Sequence, residues 1–335
     1  MGSETVTAFL GVDGGGTKTD FLLIDDSGRV LASHREGSAY YLEIGVEALE
    51  AMVGRGIRST LAQAAVPANE LTFACIGLPA YGEDSALIGR FDDIAVNVIP
   101  RRRYRCVNDM VCGWAAALAG RDGINIVAGT GSIGYGEFES RSARAGGWGE
   151  LFSDEGSAYW LAREALTLFS RMSDGRVPRG ALYGLVRANF KLQSDLDVCA
   201  AVYGPPAMTR SELAALAPLL SQAALVGDPA AQQLLASAAQ ELASIVHAVR
   251  DQLGVPPRSA LPVSYSGGLF QQGTLTSLLA AALKTDARRY EYAAPQLAPR
   301  AGAALYAAKL AASPLTAQAI AQLILTHGAS AEDVP

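Results

Sequence analysis

The chain has 335 residues, half of them hydrophobic, with a formal net charge of -6 and a pI near 5.2. This length suffices for two domains with sizeable cores, and the acidic balance argues against a general nucleic-acid or anionic-membrane binder. No apolar stretch reaches the roughly 18 residues of a membrane span, and the N-terminus lacks the charged and apolar regions of a signal peptide.

The first predicted elements are three strands over residues 7–13, 17–25 and 29–35, which form an antiparallel meander. The first two strands are joined by a triglycine turn, in which Asp13 is followed by Gly14, Gly15, Gly16, Thr17 and Lys18. Glycines without a Cβ let backbone N–H groups close around an anion, and Thr17 adds a hydroxyl. Asp13 is placed to hold a hydrated divalent cation. The turn therefore suits ATP with Mg²⁺.

Two other types of glycine turn, a P-loop and a ligand-free tight hairpin, fit this segment less well. A P-loop has Lys directly after its last glycine and then opens a helix, whereas here Thr17 intervenes and a strand follows. A tight hairpin without a ligand needs only two glycines and leaves Asp13 unexplained. The position of Lys18 is compatible with a solvent-exposed charge as well as with a phosphate ligand.

Alternating helices and strands follow the meander and indicate an α/β fold. The pattern predicts helices over 45–65, 84–91 and 110–118, and strands over 71–77, 95–99 and 104–107. Asn108 and Asp109 stand where the last of these strands meets a helix, so Asp109 fits a helix N-cap as well as a catalytic carboxylate.

A second glycine turn follows the apolar strand 124–128. Its residues Gly129, Thr130, Gly131 and Ser132, with Gly134, match the dinucleotide fingerprint GxGxxG. That fingerprint opens a helix, but residues 135–139 alternate as a strand does. The pattern is therefore a second strand, turn and strand, about 116 residues after the first. The repeat predicts two related domains.

The rest of the chain is mainly helical and rich in alanine. Helices are predicted over 211–225, from the cap Asp228-Pro229 to Leu253, and over 274–283, 298–311 and 316–325, with a strand over 261–266 and a polar tail over 328–335. Gly267 and Gly268 end that strand, either as a nucleotide contact or as a simple turn.

Cysteines and histidines show no metal-ligand pattern. Cys75, Cys106, Cys112 and Cys199 form no CxxC pair, so neither a zinc site nor a disulfide framework is indicated. A reducing cytoplasm suits such a chain. No histidine stands beside a glycine turn, which favours a carboxylate as catalytic base.

The order of these motifs resembles the N-acetylglucosamine kinase and glucosamine kinase branch of the BadF/BadG/BcrA/BcrD-type ATPases. These belong to the superfamily that also contains hexokinases, heat-shock chaperones and actin. The resemblance covers residues 8 to about 310 and adds the segment Gly146-Gly147-Trp148-Gly149 with Asp154. It implies two ribonuclease H-like domains around a central nucleotide and sugar cleft. The expected domains are 1–118, completed by the helix 298–311, and 119–297, with 312–335 as an extra helix and tail.

The resemblance also implies roles for single residues. Asp109 falls where the family has its catalytic base, and Asn108 beside it falls in the substrate site. Asp13 to Lys18 and Gly129 to Ser132 resemble the two phosphate loops, Gly131 and Ser132 also reaching the substrate, and Gly267 and Gly268 resemble the adenosine turn. The sugar segment is Gly146, Gly147, Trp148 and Asp154. Trp148 equally fits packing between the lobes, and Asp154 fits a helix cap.

One loop departs from the family pattern. Sugar-binding members commonly carry an asparagine before the first long helix, but residues 37–45 contain none, so Tyr40 or Glu43 would take its place. We expect an ATP- and Mg²⁺-dependent kinase acting on the 6-hydroxyl of a small-molecule amino sugar, with a homodimer left open. The alternatives are a BadF-type ATPase that activates a partner enzyme and a non-catalytic sugar sensor.

Overall fold

The computed structural model describes residues 7–285 and 287–329, so residues 330–335 of the predicted tail lie outside the described residues. The chain divides into two compact units. The first runs to Asn125 and takes up the chain again from Ala293, and the second comprises Ile126–Tyr292. The expected domain bounds, 1–118 with the helix 298–311 and then 119–297, stay a prediction.

Each unit is built on one five-stranded sheet. The strands are β1 (Ala8–Gly14), β2 (Thr19–Asp25), β3 (Val30–Glu36), β4 (Phe73–Leu78), β5 (Tyr104–Asn108), β6 (Gly123–Ala128), β7 (Ser132–Phe138), β8 (Arg141–Gly146), β9 (Leu261–Ser266) and β10 (Tyr290–Tyr292). The strand orders are β3-β2-β1-β4-β5 and β10-β9-β6-β7-β8, which are the same arrangement in the two halves. The predicted internal repeat is therefore confirmed.

Both sheets are mixed. In the first, β1, β2 and β3 are antiparallel neighbours, whereas β4 and β5 run parallel to β1. In the second, β7 and β8 are antiparallel and β9 and β10 are parallel. Parallel strands end at the same edge, so β1, β4 and β5 deliver Gly14, Leu78 and Asn108 to one side of the first sheet.

Helices connect and cover the strands. They are α1 (Tyr41–Ile44), α2 (Val46–Gln63), α3 (Ile88–Asp92), α4 (Asp109–Ala117), α5 (Ala158–Ser173), α6 (Ala181–Phe190), α7 (Asp197–Tyr203), α8 (Arg210–Ala214), α9 (Ala217–Leu225), α10 (Pro229–Leu253), α11 (Thr274–Lys284), α12 (Pro299–Leu310) and α13 (Ala317–His327). Asp228 caps α10 through the N–H groups of Ala230 and Ala231, as its position before Pro229 predicts. In the described part of the chain, none of these helices is long and apolar enough to cross a membrane.

The alanine-rich helix α12 lies in the first unit because its small residues permit close packing. A Cβ on Gly11 of β1 would overlap the backbone of Ala304, and a Cβ on Gly302 would overlap that of Ala116 on α4. The helix is thus wedged between a strand and another helix, where larger side chains would force the elements apart.

Several predicted elements are wrong. Residues 95–99 form turns instead of a strand, because a short apolar run buries Ala95 and Ile99 equally well without alternation. The helix predicted over 84–91 is restricted to Ile88–Asp92. The helix predicted over 211–225 is split into α8 and α9, since Pro218 near the start of α9 cannot donate a backbone hydrogen bond to α8. Strands β8 and β10 were not predicted.

Candidate active site

The triglycine turn is closed by backbone hydrogen bonds. The N–H of Gly15 donates to the carbonyl of Lys18 at 2.9 Å, and the carbonyl of Gly15 accepts from the N–H of Ala39 at 2.9 Å. A Cβ on Gly14 would lie 2.7 Å from the carbonyl oxygen of Gly77, so the fold itself requires this glycine. Gly16 differs, because its φ is ordinary and a Cβ there would meet nothing within 4 Å. Its missing side chain leaves room that a ligand can use.

Asp13 and Asp109 lie close together at the carboxyl ends of the parallel strands. Asp13 is the register partner of Gly77, and a Cβ on Gly77 would stand 3.5 Å from the Cα of Asp109. The glycine in β4 therefore lets α4 begin next to the end of β1. Ligands of open α/β sheets bind at this edge.

Asn108, and not Asp109, is the N-cap of α4. Its side-chain oxygen accepts from the N–H of Met110 at 3.2 Å, and its amide nitrogen donates to the carbonyl of Tyr81 at 3.1 Å. Asp109 is the first helical residue. The capping alternative for Asp109 is thus wrong, and the amide of Asn108 serves largely to orient its neighbour.

The carboxyl of Asp13 is held in an unfavourable environment. Burial contributes most, and the nearby Asp109 and Asp20 add to it, so that the pKa of Asp13 rises to about 8. Lys18 and Arg300 act in the opposite direction. Several negative charges concentrated at one strand end are a common property of sites that bind cations or move protons.

Asp20 joins this cluster from the opposite side of the hairpin, since it is the register partner of Asp13. It is 7% exposed and accepts from Arg35 at 2.6 Å, with Lys18 at 3.7 Å and Arg300 at 3.9 Å. Asp20 and Arg300 were not among the predicted site residues. The hairpin register was enough to find Asp20, whereas nothing in the sequence links Arg300 to a residue 280 positions earlier. Lys18 is paired with Asp20.

The carboxylates of this edge fit a magnesium ion. No group of three or more histidines, cysteines and acids is spaced to hold a metal in the part of the chain that the structure describes. Mg²⁺ bound with a nucleotide needs only one or two carboxylates, because phosphate oxygens and waters complete its octahedron. A divalent cation beside Asp13 would also offset the repulsion that raises its pKa.

The second glycine turn lies in the second unit and is fixed to a helix. The carbonyls of Gly129 and Thr130 accept from the N–H groups of Ala158 and Tyr159 at 2.9 and 3.3 Å. The hydroxyl of Ser132 donates to the carbonyl of Glu155 at 2.7 Å. These bonds attach the turn to the first residues of α5, whose cap is Ser157. As at Gly16, a Cβ on Gly129 would meet nothing within 4 Å.

Asp154 is buried beneath this turn and is not a helix cap. It is 2% exposed with φ of 61°, and one of its oxygens accepts from the N–H of Ser132 at 3.3 Å. Its other oxygen is paired with Arg210, which also approaches Glu150 at 3.4 Å. Burial raises the pKa of Asp154, and Arg210 counteracts that rise. Arg210 was missed because 56 residues separate it from Asp154.

The glycines of the predicted sugar segment have structural reasons to be glycine. Gly146 and Gly147 have φ of 72° and 69°, and a Cβ on Gly147 would lie 2.7 Å from Ile133. Trp148 is 70% exposed, so it does not pack within its unit, and the guanidinium of Arg144 stands 5.7 Å from its ring. An exposed indole next to a rigid backbone turn offers an apolar face to a ligand.

Three further predicted site residues are Gly267, Gly268 and Tyr40. Gly267 has φ of 104°, and a Cβ there would lie 2.8 Å from the nitrogen of Gly129, so the turn with Gly268 meets the second glycine turn within the second unit. Tyr40 follows Ala39, which is bonded to the triglycine turn, and its ring packs edge-on against Tyr41 at 6.4 Å.

Comparisons with known proteins agree with this architecture. The family model described as BadF/BadG/BcrA/BcrD ATPase family matches residues 10–307. The chain is 27% identical to the N-acetyl-D-glucosamine kinase of Dictyostelium discoideum, over 89% of this chain and 97% of that protein. It is 29% identical to the N-acetylmuramic acid/N-acetylglucosamine kinase of Clostridium acetobutylicum, over 77% of this chain and 84% of that protein.

A solved structure shares the fold. It is that of a Chromobacterium violaceum protein with a proposed N-acetylglucosamine kinase activity, which has a TM-score of 0.69 and 29% identity over 90% of this chain and 99% of that one. The predicted α/β fold with two ribonuclease H-like domains of the actin-like ATPase type is thereby confirmed. The chain belongs to the BadF/BadG/BcrA/BcrD ATPase family.

Proposed function

We propose that this chain is an ATP-dependent amino-sugar kinase, which transfers the γ-phosphoryl group to the 6-hydroxyl of glucosamine, N-acetylglucosamine or a related hexosamine. The observation that carries the proposal is the approach of Asp13 and Asp109 at one sheet edge, beside a glycine turn with open space at Gly16. The names of the relatives from Dictyostelium and Clostridium support an amino sugar as acceptor.

In the proposed reaction Asp109 is the general base. Phosphoryl transfer to an alcohol needs a carboxylate that accepts the hydroxyl proton, together with positioned phosphates. Asp109 is the first residue of α4, so its side chain lies at a helix start that Asn108 already caps. Asn108 and not Asp109 fills the cap, so we assign the carboxylate of Asp109 to accepting the proton of the sugar O6.

The glycine turns are proposed to bind the nucleotide. Backbone N–H groups of Gly14 to Thr17 and of Gly129 to Gly131 would contact phosphate oxygens, and Gly267 with Gly268 would line the adenosine. Asp13 would hold Mg²⁺ through water or directly. When bound, Mg²⁺ neutralises phosphate charge and aligns the transferred group. Lys18 and Arg300 limit the negative charge at this edge.

The sugar is proposed to contact Trp148 and the backbone of Gly146 and Gly147, and Tyr40 stays a proposed sugar contact. Asp154 and Ser132 act mainly as supports in this proposal, because their polar atoms already bond Arg210, Glu155 and each other. Asp154 thereby fixes the second glycine turn. It contacts the sugar only through carboxylate lone pairs that these bonds leave unused.

The cysteines argue against the alternative role of activating a partner enzyme. Activators of that type use a cluster-binding cysteine at a dimer interface, whereas Cys75, Cys106 and Cys112 are buried and only Cys199 is exposed among the four. Free buried thiols are maintained in a reducing compartment, so we propose a cytoplasmic location. A homodimer stays a prediction.

The base assignment is tested by Asp109→Asn. The amide has the shape of the carboxylate but cannot accept the proton, so turnover of sugar to sugar phosphate should fall by about 10²- to 10⁴-fold. Binding of a non-hydrolysable ATP analogue with Mg²⁺ should change little, as measured by calorimetry. Asp26→Asn, an exposed carboxylate after β2, is the matched control and should retain full activity. Equal activity of the Asp109 and Asp26 variants would contradict the assignment.

A further inference from the structure

A cavity of about 320 Å³ lies behind the sugar segment in the second unit. It is bounded by the end of β8, by residues 152–155 and by the outward side of α10. Its volume is at the lower end of the range for small-molecule sites, roughly 300–1,000 Å³, and suits a monosaccharide better than a nucleotide.

The walls combine aromatic and acidic groups. Trp148 and Phe152 line the cavity and are 70% and 76% exposed, so both present apolar faces that a ligand can contact. Glu155 and Glu241 line it as well, with hydroxyls from Ser153 and Ser244. Aromatic faces beside a few polar groups are typical of sites that bind a sugar ring.

Among the described residues, neither carboxylate forms an ion pair with a lysine or arginine. The carboxylate of Glu155 accepts from the hydroxyl of Ser153 at 3.3 Å. The nearby cations are engaged elsewhere. Arg210 binds Asp154 and Glu150, and Arg144 donates to the carbonyl of Gly147 at 2.8 Å without lining the cavity.

We propose that this cavity receives the protonated amino group of an unacetylated hexosamine, with Glu155 and Glu241 as its counter-ions. This inference rests on the proposed function and names the subclass of substrate. An ammonium group would be attracted to these carboxylates by charge-assisted hydrogen bonds, whereas an acetamide carries no charge and gains no such attraction. Glucosamine is therefore preferred over N-acetylglucosamine, and Glu155 and Glu241 determine that preference.

Direct binding measurements test the inference without requiring turnover. Trp148 is the indole of the aromatic pair, so its fluorescence reports occupation of the cavity, and Trp148→Phe identifies the signal. We expect glucosamine to bind more tightly than N-acetylglucosamine or glucose. Glu155→Gln and Glu241→Gln should each weaken glucosamine binding about three- to tenfold and leave glucose binding unchanged. Glu291→Gln, an exposed site on β10, is the matched control.

The outcomes separate this inference from the proposed function. If N-acetylglucosamine binds as tightly as glucosamine and neither glutamine variant changes the ratio, the inference is overturned, even where sugar phosphate forms. If the variants weaken glucosamine binding as expected but Mg-ATP yields no phosphorylated sugar, the kinase proposal fails and the amine site stands. An equal loss of glucose and glucosamine binding in both glutamine variants also overturns the inference, because a counter-ion of the amine does not act on glucose.

Discussion

Asp13 is expected to destabilise the ligand-free protein, and Asp13→Asn should relieve this cost. The native carboxyl keeps its proton up to about pH 8, whereas the unfolded one releases it near pH 3.8. The native state therefore binds more protons between these values, and stability falls as the pH rises across the interval. At pH 7 the full effect corresponds to about 4 kcal/mol as an upper bound.

The measured effect will be smaller because Asp13 is only partly buried and water screens its neighbours. We expect Asp13→Asn to raise the free energy of unfolding by about 1–3 kcal/mol at pH 8, and by little at pH 4, since the amide has the shape of the carboxylate but does not titrate. Urea unfolding in EDTA at a series of pH values, followed by one spectroscopic probe, measures this difference. The exposed Asp26→Asn is the control for a general charge effect.

The same variant should lose the stabilisation that Mg-ATP gives the wild type, because a ligand stabilises the native state only as far as it binds. A variant that is more stable than the wild type without ligand, but less stabilised by Mg-ATP, indicates that the carboxylate serves ligand binding. An Asp13→Asn protein that is less stable than wild type at pH 8, or equally stable at every pH, would refute the reasoning.

Further predictions concern packing and the buried ion pair. Gly11→Ala should destabilise by about 1–3 kcal/mol, measured by denaturant unfolding, because its methyl group would overlap the backbone of Ala304 on α12; an unchanged midpoint would contradict the close packing. Arg210→Met should cost about 1–3 kcal/mol by leaving Asp154 buried without its partner, and adding Asp154→Asn should recover most of that loss. Additive losses in the double variant would contradict a coupled pair.

The local patterns that were predicted correctly are those with a strong chemical or geometric cause. The triglycine turn, the strand after Ser132 and the cap at Asp228 each depend on a few neighbouring residues. The repeat of strand, turn and strand was enough to predict two related sheets. The helix α12 was located correctly because alanine, a strong helix former, dominates it and Pro299 stands at its first position.

The incorrect predictions share one physical cause, which is contact between residues that lie far apart in the sequence. The segment 95–99 is mostly apolar but too short to show a helix or strand periodicity. Its turns depend on the burial of Ala95 and Ile99 in the core of the first unit. The roles of Ser132 and Asp154 depend on Arg210 and on the backbone of Glu155, which no spacing in the sequence connects to them. Likewise, the strand register is needed to show that Gly77 of β4 lies between Asp13 and Asp109 and keeps them close.

The central claim is that a carboxylate at the end of the first sheet directs phosphoryl transfer from ATP to a sugar hydroxyl. Its most direct test is ³¹P NMR of the wild-type protein with Mg-ATP and glucosamine, followed until the ATP is consumed. The account predicts one phosphomonoester signal, coupled to the two protons of the C6 methylene group, in equal amount to ADP. Inorganic phosphate with ADP and no sugar ester, or a phosphate on the anomeric oxygen, would contradict it.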